Sequence, residues 1–183
     1  MAKQIIIFSS ARRHGNTYKA ARTLARRLDT YILFLDDFRI KNYCYEINEY
    51  KEIEEDDFRA LIAKLLTFEH WVFASPVYWY NTTPQLKNFF DRLTDYMNEE
   101  ELRPQLRLLR NKHMSLLSTS NVELGLDAFA APFKLSAEYL GMRFITHYHA
   151  SALTPSQIKI HLGTSPFSRP YWHRLFVKVM EKK

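Results

Sequence analysis

The chain has 183 residues, 46% hydrophobic and 15% aromatic, enough to bury a full core and near the size of one domain, so residues 1–183 read as a single unit. Its one cysteine, Cys44, excludes an internal disulfide and any multi-thiolate metal cluster within one chain, and fits a reducing, cytoplasmic setting. The net charge of +6 favours approach by anions, whether phosphate-bearing ligands or nucleic acid, unless it is only a solvated basic surface.

Residues 4–8 (Gln-Ile-Ile-Ile-Phe) form a short β-branched run with Ser and Gly beyond it, the pattern of a strand buried on both faces. Such runs fall far below the about 20 residues of a bilayer-spanning helix, so no membrane segment is expected. The chain enters this strand without a basic leader or a small-residue cleavage site, which argues against secretion. From Asn16 to Leu28, Ala20, Ala21, Leu24, Ala25 and Leu28 recur at helical spacing, with Lys19, Arg22, Arg26 and Arg27 outside. Residues 30–35 predict a second strand. Phe58, Leu61, Ile62, Leu65 and Leu66 then stripe a helix, started by the acidic run Glu54 to Asp57 at the positive end of its dipole.

A third strand is expected over His70 to Ala74, followed by a helix with Thr83 as N-cap, Pro84 in its first turn and a stripe of Leu86, Phe89, Phe90 and Leu93 running to about Met97. His113 to Leu117 and residues 143–150 read as the fourth and fifth strands. The helix between them stops at Gly141. Pro132 lies inside that helical pattern and predicts a kink or a late start. Residues 151–169 look irregular, and a basic amphipathic helix with Trp172, Leu175, Phe176 and Val179 on one side closes the chain. Alternation of this kind requires crossovers: an α/β fold, five parallel strands in the order 2-1-3-4-5 with helices on both faces, and ligands beyond the carboxyl ends of the strands.

The segment Ser9-Ser10-Ala11-Arg12-Arg13-His14-Gly15-Asn16-Thr17 lies at one such end and runs into a helix N-terminus. Its amides, the hydroxyls of Ser10 and Thr17, the amide of Asn16 and the charge of Arg12 suit a phosphate. No Gly-Lys-Ser/Thr follows and the three glycines of a dinucleotide fingerprint are missing, which disfavours nucleoside triphosphate hydrolysis and leaves an ordinary polar turn as the alternative. After the third strand, Tyr78, Trp79 and Tyr80 stand consecutively on a loop. A planar heteroaromatic ligand would cover them, as would packing under a loop or against a second subunit.

These two segments resemble the flavodoxin-like NADPH-dependent FMN reductase and NAD(P)H oxidoreductase family. Residues 9–17 are similar to its Gly-Ser-Pro-Arg-x-x-Gly-Asn-Thr phosphate loop, with Ser9 in place of the first glycine and Ala11 in place of the proline; residues 75–92 are similar to its Ser-Pro-Val-Tyr…Gln-Leu-Lys-x-Phe-x-Asp-Arg segment. The resemblance implies that Ser10, Arg12, Asn16 and Thr17 hold the FMN phosphate and that Pro76, Val77, Tyr78, Trp79, Tyr80 and Asn81 line the isoalloxazine ring. Ser118, Thr119 and Ser120, with Asn121, would complete the opposite wall. It further implies hydride transfer from NADH or NADPH to FMN and on to a quinone, flavin or other small acceptor, with no obligatory protein acid or base and with backbone dipoles near Trp79 and Tyr80 stabilising the reduced ring. A homodimer is expected, since relatives commonly cover the flavin with a second subunit. A flavodoxin-type electron carrier and a flavin-free binding module of the same fold are the alternatives, and the basic charge speaks against the carrier.

Three further signals are weaker. His147 and His149 share one strand face, but no third zinc ligand has evident spacing, so no metal is expected. Cys44 lacks a partner motif. Basic residues and aromatics interleave in the terminal helix, which packing explains better than nucleic acid binding.

Overall fold

The computed structural model describes residues 3–44 and 56–161. The expected terminal helix and part of the acidic run Glu54 to Asp57 lie outside these residues. Strand β1 (Gln4–Phe8) leads into α1 (Asn16–Leu28), then β2 (Ile32–Phe34), α2 (Phe58–Leu65), β3 (His70–Pro76) and α3 (Pro84–Arg92). Short helices α4 (Asp95–Asn98) and α5 (Arg103–Arg107) precede β4 (His113–Ser120), α6 (Leu126–Tyr139), β5 (Arg143–Ser151) and β6 (Lys159–Ile160).

The sheet has six strands in the order β2-β1-β3-β4-β5-β6, so the expected five-stranded order is correct as far as it goes and one strand short. Strand β6 pairs antiparallel with β5, Tyr148 opposite Ile160 and His149 opposite Lys159, inside the segment read as irregular. Two exposed residues carry no period-2 pattern, so only the neighbouring edge of β5 reveals them. The other pairings are parallel. β1 lies between β2 and β3, and Ile5, Ile6 and Ile7 are fully buried, which is why the run is apolar on both faces.

Alternation divides the core. Ile6, Phe8, Val72, Ala74, Leu117 and Ala150 pack with α1 on one face. Ile5, Ile7, Phe73, Leu116 and their neighbours pack with α2, α3 and α6 on the other. Thr83 caps α3 as expected, its hydroxyl accepting from the Leu86 N–H at 3.4 Å with Pro84 in the first turn. Helix α6 does not start late: it runs through Pro132 from Leu126. Both Pro132 and Ala128 are exposed, so the Ala128 carbonyl deprived of its intrahelical donor faces water. Gly141, at φ +74°, takes the left-handed conformation after α6.

Candidate functional site

The loops after β1, β3 and β4 meet at the carboxyl end of the sheet, and buried hydroxyls join them. The Ser9 N–H donates to the Ala74 carbonyl at 2.9 Å, and the Ser9 and Thr83 hydroxyls share a 2.5 Å bond. Thr17, the second residue of α1, bonds Thr119 through their hydroxyls at 2.6 Å. Thr119 in turn accepts the Val77 N–H through its carbonyl at 2.9 Å. Thr119 is therefore the joint between the first loop and the aromatic loop, although it lies 102 residues from Thr17.

Within the first loop, Ser10 is buried and accepts from the Arg12 N–H at 3.4 Å, while the Gly15 N–H donates to the Arg12 carbonyl at 3.2 Å. No side chain caps α1, whose first residues include Asn16 and Thr17, so its leading N–H groups face the loop's concavity. Thr17 and Thr119 carry two hydroxyl protons and use one between them, leaving the other for an anion. Arg13 is committed to Asp37 at 2.5 and 3.2 Å and lies 4.3 Å over the Phe34 ring. The bond from Arg13 holds the Asp37 carboxyl below its ordinary range. Arg12 is exposed and, among the described residues, forms no ion pair, which leaves it as the loop's available cation.

The aromatic loop is a two-residue reversal. Tyr78 and Asn81 exchange backbone hydrogen bonds of 2.8 and 2.9 Å, and Trp79 and Tyr80 between them have φ of 51° and 60°. Consecutive positive φ values define a type I′ turn, usually filled by Asn-Gly. Two bulky aromatics there cost about 1–2 kcal/mol each, and such strain persists where the surroundings impose it. Thr82 fixes one side, its N–H donating to Asn81 Oδ1 at 2.8 Å and its hydroxyl to Ser75 Oγ at 3.0 Å. Gly125 fixes the other: a Cβ there would lie 2.5 Å from Tyr80 Cε1, and its φ is +79°. Gly125→Ala is expected to cost about 1–2 kcal/mol of stability and to displace Tyr80; an unchanged urea midpoint would show that the turn does not rest on this contact. The turn projects outward, with Trp79 96% exposed. The Trp79 and Tyr80 amides take no part in the Tyr78–Asn81 bonds.

Most residues predicted for the site are thus brought together: Ser10 and Arg12 on the first loop with Asn16 and Thr17 opening α1, Pro76 at the end of β3 with Val77 to Asn81 on the loop that follows, and Thr119 of β4 between them. Ser118 is placed differently. Strand alternation turns it to the opposite face, where its buried hydroxyl bonds His147 Nε2 at 2.7 Å and His149 Nδ1 at 2.9 Å. Ser120 is turned onto its own loop, donating to the Val122 carbonyl at 2.5 Å. Sequence reasoning missed Ser9 and the second role of Thr83, whose capping pattern was the one signal available. It also missed Gly125.

No curated protein matches the chain by sequence. Solved structures of similar fold include the Trp repressor binding protein from Bacillus subtilis, with 19% identity, 84% of this chain and 86% of that one covered, and a TM-score of 0.66. RosB, solved with 8-demethyl-8-formylriboflavin-5′-phosphate, shares 18% identity over 82% of this chain and 65% of its own, with a TM-score of 0.69. The NAD(P)H:quinone oxidoreductase from Methanothermobacter marburgensis shares 15% identity over 86% and 90%, with a TM-score of 0.59. Residues 2–154 match the family model of the NADPH-dependent FMN reductases, and the chain belongs to that family of FMN-dependent, NAD(P)H-oxidising enzymes.

Proposed function

We propose that this protein oxidises NADH or NADPH through FMN held across the first loop and the aromatic turn, and delivers the electrons to a small acceptor such as a quinone or free flavin. The observation that carries the reading is the joint at Thr119, which ties an uncapped helix N-terminus with buried hydroxyls to an exposed aromatic turn on adjacent strands. The donor set fits the cofactor. Ser10, Thr17 and the leading amides of α1 would hold the phosphate, Arg12 would neutralise it, and the turn from Tyr78 to Asn81 would flank the ring.

Bound there, FMN would supply two-electron redox chemistry between a nicotinamide and the acceptor. The chain's part is orientation and electrostatics. Because the Tyr78–Asn81 bonds leave out the Trp79 and Tyr80 amides, these can point their dipoles at a ring edge that gains negative charge, with no rearrangement at the moment of reaction. The exposed Trp79 ring offers a surface for a flat nicotinamide or quinone.

FMN-loaded protein is expected to show oxidised-flavin absorbance that NAD(P)H bleaches, and to sustain NAD(P)H oxidation with a quinone. Bound flavin that NAD(P)H does not bleach, with no NAD(P)H oxidation on a quinone or free flavin, would favour an electron carrier. Arg12→Ala and Thr17→Ala should each weaken FMN binding about tenfold, the scale of one hydrogen bond to a charged group. The urea midpoint should stay nearly unchanged in Arg12→Ala, whose side chain is exposed, whereas Thr17→Ala, which also breaks the buried bond to Thr119, should lose about 1 kcal/mol of stability. Undiminished affinity in both variants would remove the phosphate assignment.

A further inference from the structure

A groove of about 800 Å³ runs between α3, α4 and α6, starting at Asn81 and Thr82 just past the aromatic turn. Phe90, Phe133, Leu135 and Tyr139 line it, together with the carboxylates Asp91 and Glu138. Leu135 is 48% exposed and Tyr139 75% exposed, so the outer face of α6 continues the apolar surface. On a folded chain, such a surface calls for a cover.

We infer that this groove is the docking site of the chain's own C-terminal segment, residues 171–183, bound as an amphipathic helix. The pattern fits helix-in-groove recognition, which uses anchors at i, i+3, i+4 and i+7: Trp172, Leu175, Phe176 and Val179 have this spacing. Arg174, Lys178 and Lys182, four residues apart, form a basic stripe along one flank of the apolar face. The groove contributes two carboxylates against the single ammonium of Lys87, which is itself paired with Asp91. Charge therefore matches as well as apolarity.

The reach is sufficient. The described chain ends at His161, whose Nε2 lies 3.2 Å from Asp127 Oδ1 in the first turn of α6. Residues 162–170 separate that point from the segment and span up to about 30 Å when extended, against about 21 Å for the whole length of α6. The path crosses the exposed side of α6, where Leu135 and Tyr139 stand. Seated in the groove, the segment would back the polypeptide that follows the Trp79–Tyr80 turn and cover the apolar surface beside the site.

The test uses the full chain with p-benzoylphenylalanine in place of Phe176, a substitution that keeps the aromatic anchor and does not depend on helix register. On irradiation, the adducts are expected on α3 or α6, near Phe90, Phe133, Leu135 or Tyr139, within a single chain of 21.8 kDa. Adducts joining two chains would mean that a second copy supplies the cover, and adducts on other elements, or none, would mean the segment lies elsewhere; each overturns the inference. Hydrogen exchange of the unlabelled Leu175→Asp/Phe176→Asp variant gives an independent readout. Amides of α6 should exchange at least about fivefold faster than in the wild type, and equal rates would overturn the inference as well.

Discussion

Replacing Arg92 with alanine is expected to destabilise the protein by about 3–5 kcal/mol, the cost of breaking a buried ion pair by removing one partner. Arg92 closes α3 with no solvent exposure. Its Nε donates to Asp95 Oδ2 at 2.6 Å, its Nη1 to the Asp56 carboxylate and to the Lys41 carbonyl at 2.9 Å, and its guanidinium sits 4.8 Å from the Phe58 ring centroid. Asp56 also accepts from the Lys41 N–H at 2.9 Å and the Phe58 N–H at 3.0 Å. One guanidinium thus fastens the chain around Lys41, the start of α2 and the start of α4 to the end of α3.

Without Arg92, two buried carboxylates would face each other uncompensated. Burial works against both; the Arg92 bond and the two backbone donors still hold Asp56 below the ordinary carboxylate range, whereas burial leaves Asp95 above it. Asp95 Oδ1 already lacks a partner among the described residues. Lysine should rescue only part of the loss, because a point charge cannot serve Asp56, Asp95 and the Lys41 carbonyl in one plane. Urea unfolding of both variants checks this. A loss below about 1 kcal/mol for Arg92→Ala would show that the pair is no stronger than a surface one.

In the sequence, Arg92 is visible only as the end of a family-like Asp-Arg segment, and its partners Asp56 and Asp95 belong to other elements. The same divide runs through the whole chain. Elements whose residues meet the core at a regular period are legible: β1 by its Ile run, α1 by its alanine and leucine stripe, α3 by Thr83-Pro84 and its aromatics. Strand β6 and helices α4 and α5 are not, because four or five residues, or two, are too few to establish a period.

At the site, the composition of each loop is legible but its conformation is not. Type I′ geometry is signalled by Asn-Gly, so Trp79-Tyr80 gives no hint of its two positive φ values; these come from Gly125, Thr82 and the Tyr78–Asn81 pair acting together. The Thr17–Thr119 bond is non-local and invisible to spacing. Similarly, the shared face of His147 and His149 can be read from alternation, whereas their partner Ser118 emerges only once β4 lies beside β5.

Three histidines give the last expectation: lowering the pH from about 7.5 to about 5 should remove about 2 kcal/mol of stability through His147, with smaller losses through His149 and the half-buried His70. Ser118 has one hydroxyl proton, so it can donate to one imidazole and accept from the other, a pattern that suits two neutral rings. His147 Nδ1 and His149 Nε2 are buried without partners among the described residues, so a doubly protonated form of either ring holds a buried N–H with no acceptor. Burial, reinforced by His161, His149 and Lys134, depresses His147 to about 3; burial, with His113 nearby, depresses His70 to about 4; burial also lowers His149. A histidine with a depressed folded-state pKa stabilises the fold fully above its unfolded value of about 6.5, and the contribution drains away as the pH falls from there toward the folded value. At pH 5 the unfolded ring has gained about 1.5 pK units of protonation free energy that the folded ring has not, or about 2 kcal/mol for the buried His147 and less for His70, which solvent screens. Urea midpoints at the two pH values measure the slope. His147→Leu should flatten it, and a wild-type stability that holds level between these pH values would mean that the rings accept protons within the fold.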